Sequence, residues 1–293
     1  MNLQNKIDFA VIVNVENANP NGDPLNGNRP RTNYDGFGEL SDVCIKRKIR
    51  NRWMDEGYSV FVQSDDKRLD DYRSLKARVE GMLTNTERAN DIEYRKHACE
   101  KWIDVRAFGQ VFAYTGTGNT AGVSVGIRGP VSIHPAFSVA SVADRITSTQ
   151  ITKSVSGEGD GTRRGSDTMG LKHRVDHGIY LVFGSINPQL AELTGFSDED
   201  AEAIKTSLIS LFENDASSAR PEGSMEVYRV YWWKHDSKSG QYSSAKVHRA
   251  IRELVKVKVP DALTYDVDDY IIPSKEDMES ILPGLSCEVI EGM

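Results

Sequence analysis

Five basic side chains crowd one short stretch of the sequence and could contact a polyanion. They are Lys46, Arg47, Lys48, Arg50 and Arg52. Helical spacing would place Lys46 and Arg50 on one ridge, and Asp42 is the only acidic residue between positions 40 and 54. Because like charges repel one another unless an anion lies beside them, the pattern favours contact with phosphates over an ordinary solvated helix face.

Two further basic groups lie in segments rich in turn-forming residues. Residues 17–38 contain six asparagines, three prolines and four glycines, and they carry Arg29 and Arg31. A stretch of this length is typical of a functional loop that wraps an anion or of a disordered segment, and both interpretations stay open. Met169 is an apolar residue among polar ones, consistent with simple packing or with a wedge between bases. It lies in the second basic group, which comprises Arg163, Arg164, Lys172, His173 and Arg174.

Three patterns that could indicate an enzyme or a cofactor site are weak. His173 and His177 have a spacing found in metal sites, but no further ligand accompanies them, so no metal is expected. The glycine pattern at residues 116–121 precedes a predicted strand, whereas a dinucleotide site needs a helix, so no cofactor is expected. Asp23 and Asp35 leave one alternative open, a metal-dependent ribonuclease, although a lone aspartate in such a loop is more typical of a turn. We therefore expect a protein that is not an enzyme.

Length, charge and cysteine content limit the class of protein. The chain has 293 residues, of which 39% are hydrophobic, and a net charge of −7. No apolar run approaches the ~18 residues of a membrane span, and the apolar run near the N-terminus is too short for a signal peptide. Three widely spaced cysteines without a CxxC pattern indicate a cytoplasmic protein. Residues 261–293 hold nine acidic residues and one lysine, a net charge of −8, and we expect a solvated acidic segment there.

The elements that must position these side chains follow a recognisable order. Hydrophobic periodicity predicts strands at 7–15, 104–114, 121–134, 179–186 and 225–233, and helices at 41–55 and 199–214. With the strand at 104–114 set aside together with the insertions, the remaining order is βαββαβ, an α+β arrangement that is ferredoxin-like and is also used by RNA-recognition (RRM) domains. The insertions are a helical segment at 58–103 and a long hairpin within 138–176. Tyr180 and Phe183 lack the flanking residues of an RRM stacking motif, so base stacking on the sheet is not supported.

Several long motifs, in order, resemble one family. They are VNVENANPNGDPLNGNRPRT, LSDVCIKRKIRNR, DVRAFGQVFA, GIRGPVSIHPAFS and MGLKHRVDHGIYLVFGSIN. Together they are similar to the major crRNA-binding backbone subunit of type I-C (Dvulg subtype) CRISPR Cascade, a member of the RAMP superfamily. The resemblance spans residues 7–233, and the residues after about 240 add little to it.

The resemblance implies an RRM-like palm, a helical finger and a thumb hairpin. The palm would comprise residues 1–57, 104–137 and 177–260, the finger 58–103, the thumb 138–176, and the acidic C-terminal segment 261–293. Copies of such a subunit stack along the crRNA, contact other Cascade subunits and present the guide for pairing with target DNA in antiviral defence, without cleaving RNA. Carried over, the RNA-binding residues would be Arg29, Arg31, Lys46, Arg47, Arg50, Arg163, Arg164, Met169, Lys172, His173 and Arg174. Arg88, Arg95 and Lys96 of the finger are weaker candidates for contact with target DNA.

Overall fold

The computed structural model describes residues 1–114, 123–153, 168–260 and 262–293. The strands are β1 (Ile7–Ala18), β2 (Gly22–Asp23), β3 (Arg29–Pro30), β4 (Phe37–Leu40), β5 (Gly109–Tyr114), β6 (Val123–Arg128), β7 (Val131–Ile133), β8 (Ala136–Ser141), β9 (Ile146–Lys153), β10 (Thr168–Ile186), β11 (Met225–Lys234), β12 (Lys256–Val257), β13 (Tyr270–Ile271) and β14 (Cys287–Glu291). The helices are α1 (Asp42–Asp55), α2 (Leu75–Met82), α3 (Asp91–Lys101), α4 (Ile103–Phe108), α5 (Pro188–Thr194), α6 (Asp198–Ile209), α7 (Ser244–Leu254) and α8 (Lys275–Ile281).

One large antiparallel sheet organises the molecule, with strand order β14-β11-β1-β10-β8-β4. Strand β1 lies near its centre, where Val11 pairs with Val182 of β10 on one side and with Val230 of β11 on the other. The long strand β10 also pairs with β7 near its end and with β9 near its start. The prediction of a mixed α+β protein is confirmed, and the structure adds a main antiparallel sheet to it.

Both faces of this sheet are covered by helices, and β1 contributes to both layers. Phe9, Val11 and Val13 face a first core with helices α1, α5 and α6. Ala10 and Ile12 face a second core with helices α7 and α8. Successive side chains of a strand point to opposite faces, so the continuous apolar run of β1 is what a doubly covered central strand requires. Helix α7 was not predicted from the sequence.

A third core lies outside the main sheet and joins helices α2 and α3 to the hairpin of β5 and β6. Phe61 lies at its centre, with its ring 4.7 Å from Trp102 and 5.2 Å from Phe112. The predicted strand over 104–114 is wrong in its first half, since α4 occupies Ile103–Phe108. The helix forms because Asp104 and Arg106 find polar partners elsewhere in the fold, and Gly109, with φ of 78°, ends it and starts β5.

The acidic C-terminal segment is folded, so the expectation of a solvated segment is wrong. Met278, Leu282 and Leu285 are buried in the second core, and Cys287 begins β14, the edge strand beside β11. Apolar residues at three- and four-residue spacing turn inward, while most of the carboxylates of this segment remain at the surface. The net charge of this segment reflects its surface residues and gives no indication of the apolar residues that it buries.

The hairpin predicted within residues 138–176 is present where the structure describes it. Strands β9 and β10 pair antiparallel, from Ile146 opposite Val175 to Lys153 opposite Thr168. Arg163 and Arg164 lie outside the described residues, as does the glycine pattern at 116–121. In the described part of the chain, no helix is long and apolar enough to span a bilayer.

Candidate nucleic-acid interface

The asparagine-rich loop between β1 and α1 is folded by hydrogen bonds from its own side chains. The Asn19 amide donates to the backbone oxygen of Asn28 at 2.7 Å. The Asn21 side-chain oxygen accepts from the Ser41 backbone and from its hydroxyl, at 3.0 and 2.8 Å. Since Ser41 caps α1, the loop is tied to the helix start. The asparagines therefore serve loop structure, and the structure shows no disordered segment here.

The loop carries Arg29 to the hairpin of β9 and β10. The Arg29 guanidinium lies 3.5 Å from the Ser148 hydroxyl, which in turn lies 2.7 Å from Nδ1 of His173. Arg31, two residues on, pairs with Asp23 at 3.5 Å, and its buried Nε has no hydrogen-bond partner in the described part of the chain. Two basic groups far apart in the sequence are thus brought together around Ser148.

The hairpin presents its remaining candidates on two faces. Alternation along β10 places Met169 and His173 on one face, and Lys172 and Arg174 on the other. Met169 is 68% exposed and does not belong to the palm core. Arg174 pairs with Asp176 at 3.0 Å, whereas Lys172 is exposed and has no ion pair among the described residues. The hairpin therefore offers an apolar side chain on the same face as His173.

Helix α1 differs from its expected form, because most of its cations are already paired. Lys46 pairs with Asp42 at 3.0 Å, as the sequence suggested. Arg50 pairs with fully buried Asp104 at 2.8 Å, and Arg47 donates to the backbone oxygen of Val62 at 2.7 Å. The premise that Asp42 alone opposes these charges is wrong. Arg52 pairs with Asp55 and Glu56 at the end of the helix, and Asp104 and Asp215 come from positions distant in sequence.

Lys48 is the most buried cation of α1. It lies beside basic residues that the sequence did not indicate, Lys67 and Arg220. It contacts Asp215, and burial lowers the pKa of its ammonium although that carboxylate lies beside it. Asp215 also pairs with Arg220 at 3.2 Å. A cavity of about 280 Å³ lies between α1 and the segment at 214–220. Lys67 and Arg220 line it. No local sequence signal marks Lys67 or Arg220, because the fold alone brings them to α1.

The aspartates of the ribonuclease alternative have structural contacts. Asp23 accepts from the backbone nitrogen of Leu25 at 3.2 Å and pairs with Arg31, while Asp35 is exposed in a turn.

His177 is buried against the Thr264 hydroxyl at 3.4 Å, away from the His173 contact. Burial is the main cause that lowers the pKa of His177. Within the described ranges, no three His, Cys, Asp or Glu side chains are grouped so that they could hold a metal ion.

The fold and this interface define an α+β protein whose basic loop and hairpin meet at one edge of a doubly covered sheet. Residues 5–275 match the family described as CRISPR-associated protein Cas7, and the chain belongs to that family. A relative from Haloferax volcanii, named CRISPR-associated protein Cas7, is 26% identical over 233 residues, covering 74% of this chain and 67% of the relative.

Two solved structures are similar in backbone. One is a chain of a "CRISPR RNA-guided surveillance complex, pre-nicking", with a TM-score of 0.47 and 14% identity over 94% of this chain and 87% of that one. The other is a chain of a "CRISPR RNA-guided surveillance complex", with a TM-score of 0.46 and 16% identity over 98% of this chain and 88% of that one.

Proposed function

We propose that this chain is a non-catalytic, crRNA-binding backbone subunit of a type I-C CRISPR surveillance complex. In this proposal several copies polymerise along one crRNA, contact other Cascade subunits, and hold the guide open for pairing with target DNA. The observation that carries the proposal is the contact of Arg29 with Ser148, which in turn contacts His173, in a chain of the Cas7 family. The type I-C assignment is supported by the motifs quoted above.

The proposal includes an RRM-like palm with a finger and a thumb, in the ranges expected from the sequence. Four strands in the order β11-β1-β10-β7 support the palm, because a βαββαβ domain has this order with its last strand at one edge. The third core supports a separate finger, although it also contains Phe112 and Val125 from beyond residue 103. The β9–β10 hairpin is the proposed thumb.

In this proposal the guide's phosphates contact the loop and the hairpin first. Arg29, Arg31 and Lys172 are the strongest candidates because a cation without a close, buried acid keeps its attraction for phosphate. Lys46, Arg47 and Arg50 stay in the proposed set, with Lys46 the most accessible to RNA. Met169 would insert between bases from the hairpin face that it shares with His173. All three cysteines of the chain are free, which suits the cytoplasm that we propose.

The first experiment measures the mass of the purified protein with RNAs of ~20, 40 and 60 nucleotides in Mg²⁺. We expect the number of bound copies to rise with RNA length and the RNA to stay uncut. One copy per RNA at every length would contradict a backbone subunit. Shortened RNA, lost on Asp23→Ala or Asp35→Ala, would instead identify the ribonuclease alternative.

A second experiment tests the site within the same assay. Arg29→Ala with Lys172→Ala should weaken binding equally for all RNA sequences. It should also reduce the salt slope, the slope of log binding constant against log salt concentration, by about 1.4, since each single-strand phosphate contact contributes about 0.7. The matched control is Lys234→Ala with Lys238→Ala, which removes the same charge from side chains already paired with Asp198 and Glu192. An equal loss in this control would show that only net charge matters.

A further inference from the structure

A trough runs along the sheet face opposite α1, between helix α7 and strand β8. Two adjoining cavities of about 450 and 660 Å³ form it, and Phe37, Val139 and Val255 line both of them. The smaller cavity has Leu181 and Phe183 of β10 in its wall, residues that belong to the second core. The trough therefore lies on the α7 side of the sheet, whereas the loop, hairpin and α1 residues discussed above are not part of its lining.

Aromatic rings are accessible in this trough. Phe137 of β8 is 41% exposed and Phe37 is half-buried, and both rings line the smaller cavity. The Arg252 guanidinium lies 4.8 Å from the ring centre of Phe183, and the exposed His134 completes the lining. Accessible rings and a guanidinium in the lining of one cavity match the surfaces on which nucleic-acid bases stack.

The two cations that line the trough from the α7 side, Arg252 and Lys256, have no ion pair in the described part of the chain, in contrast to most cations of α1. Five exposed basic residues lie on α7 and just after it, and none has an ion pair within 4.0 Å in the described ranges: Lys246, Arg249, Arg252, Lys256 and Lys258. Glu253 is the one acid between them in the sequence. Arg252 and His134 are the only titratable residues that line the smaller cavity, while Asp144 lines the larger one together with Arg145 and Lys256.

Charge decides which occupant this trough fits. An apolar peptide would cover the rings and leave Arg252 and Lys256 without partners, whereas a single strand of nucleic acid supplies bases for the rings and phosphates for these cations. We propose that the trough binds single-stranded DNA, with bases stacked on Phe137 and phosphates contacting Arg252 and Lys256. The identity of this strand rests on the proposed function, because pairing a guide with one strand of a duplex displaces the other strand.

The test uses protein loaded with saturating guide RNA and a labelled 20-nucleotide oligodeoxythymidine that cannot pair with the guide. Phe137→Ala should weaken binding of this strand by about 5-fold to 150-fold, since stacking on one aromatic side chain contributes roughly 1–3 kcal/mol. Phe137→Trp should keep the affinity, and Phe137→Leu should lose as much as the alanine variant. Arg252→Ala with Lys256→Ala should reduce the salt slope by about 1.4.

Two controls and one mapping experiment accompany these variants. Leu193→Ala removes an exposed leucine on α5, and Lys234→Ala with Lys238→Ala removes two cations that are already paired. Both controls should leave the affinity unchanged. A strand containing 4-thiothymidine, irradiated on the protein with and without guide RNA, should crosslink to peptides that contain Phe137 or Arg252.

Several results would overturn the inference. Absence of binding, affinity unchanged by the Phe137 and Arg252 variants, or tighter binding of an RNA strand of equal length would each refute it. A Phe137→Leu protein that binds like the wild type would show that the trough serves an apolar partner. If length-dependent assembly on RNA fails while the trough still crosslinks to DNA, the proposed function is wrong and DNA binding at the trough stands. If assembly succeeds and crosslinks miss the trough, only this inference fails.

Discussion

Replacing Arg50 tests whether this side chain serves the fold more than it serves RNA. Its guanidinium contacts Asp104, whose side chain is fully buried and also accepts from the backbone nitrogens of Phe61 and Val62 at 2.7 and 3.0 Å. Arg50→Ala leaves this carboxylate buried with two neutral donors and without its hydrogen-bonded charge partner, Arg47 being the remaining cation nearby. Breaking a buried pair from one side costs about 3–5 kcal/mol, and the two remaining hydrogen bonds place the expected loss at about 3 kcal/mol.

Lys46→Ala is the matched control, because Lys46 lies one turn away and pairs with Asp42 in a more exposed position. We expect it to cost about 0.3 kcal/mol of stability. The assay is urea unfolding, in which Arg50→Ala should lower the midpoint without changing the m-value. A double-mutant cycle with Asp104→Asn should give a coupling energy of about 2 kcal/mol.

A loss below about 1 kcal/mol for Arg50→Ala, or a coupling energy near zero, would refute the reasoning. If the same variant weakened RNA binding and left the urea midpoint unchanged, Arg50 would belong with the phosphate contacts, as the sequence predicts. If RNA binding falls only in proportion to the unfolded fraction, Arg50 acts through its pair with Asp104.

Three further perturbations test other parts of the fold. Burial lowers the pKa of His177, so the unfolded chain takes up a proton first as the pH falls below about 6.5, and stability should decrease from pH 7.5 to 5.5. In the His177→Asn variant, urea midpoints measured across this pH range should show a smaller decrease. A decrease equal to that of the wild type would contradict the assignment of this pH dependence to His177. Gly109→Ala should cost about 3 kcal/mol in thermal unfolding because its Cβ would lie 2.4 Å from the Ile127 oxygen. Gly57→Ala, with a similar φ of 84° and open space, should cost only about 1 kcal/mol. Met278→Ala should cost about 3 kcal/mol by urea unfolding, whereas a solvated C-terminal segment would show almost no loss.

The sequence was sufficient for the elements whose apolar pattern is continuous or strongly periodic. The strands at 7–15, 179–186 and 225–233 lie within β1, β10 and β11, and the helix over 41–55 matches α1. Helix α4 was missed because a short apolar run does not by itself distinguish a buried helix from a strand. What decides it is the contact of Arg106 with Asp200, with nitrogen–oxygen distances of 2.8 and 2.7 Å, and that partner lies almost a hundred residues away.

The candidate site was predictable as a set of residue types but not as an arrangement. The clustering of basic residues indicated α1 as a candidate site. No residue near α1 in the sequence indicated that Asp104 and Asp215 would neutralise two of its positive charges. The joining of Arg29 to His173 depends on the loop's side-chain hydrogen bonds, which follow from the fold. The sequence did not indicate a basic surface at α7, because the acidic residues that follow this helix dominate the net charge of this end of the chain.

The double burial of β1 has a consequence for how the molecule opens. Phe9 and Val11 belong to one core while Ala10 and Ile12 belong to the other, so neither helical layer can separate without exposing the same strand. The two layers should therefore form one cooperative unit, in which the amides of β1 exchange with solvent only through global unfolding. The third core shares no residue with this strand. Helices α2 and α3 can then open at lower free energy as a separate unit, and such an opening need not loosen the sheet to which the loop and the hairpin are attached.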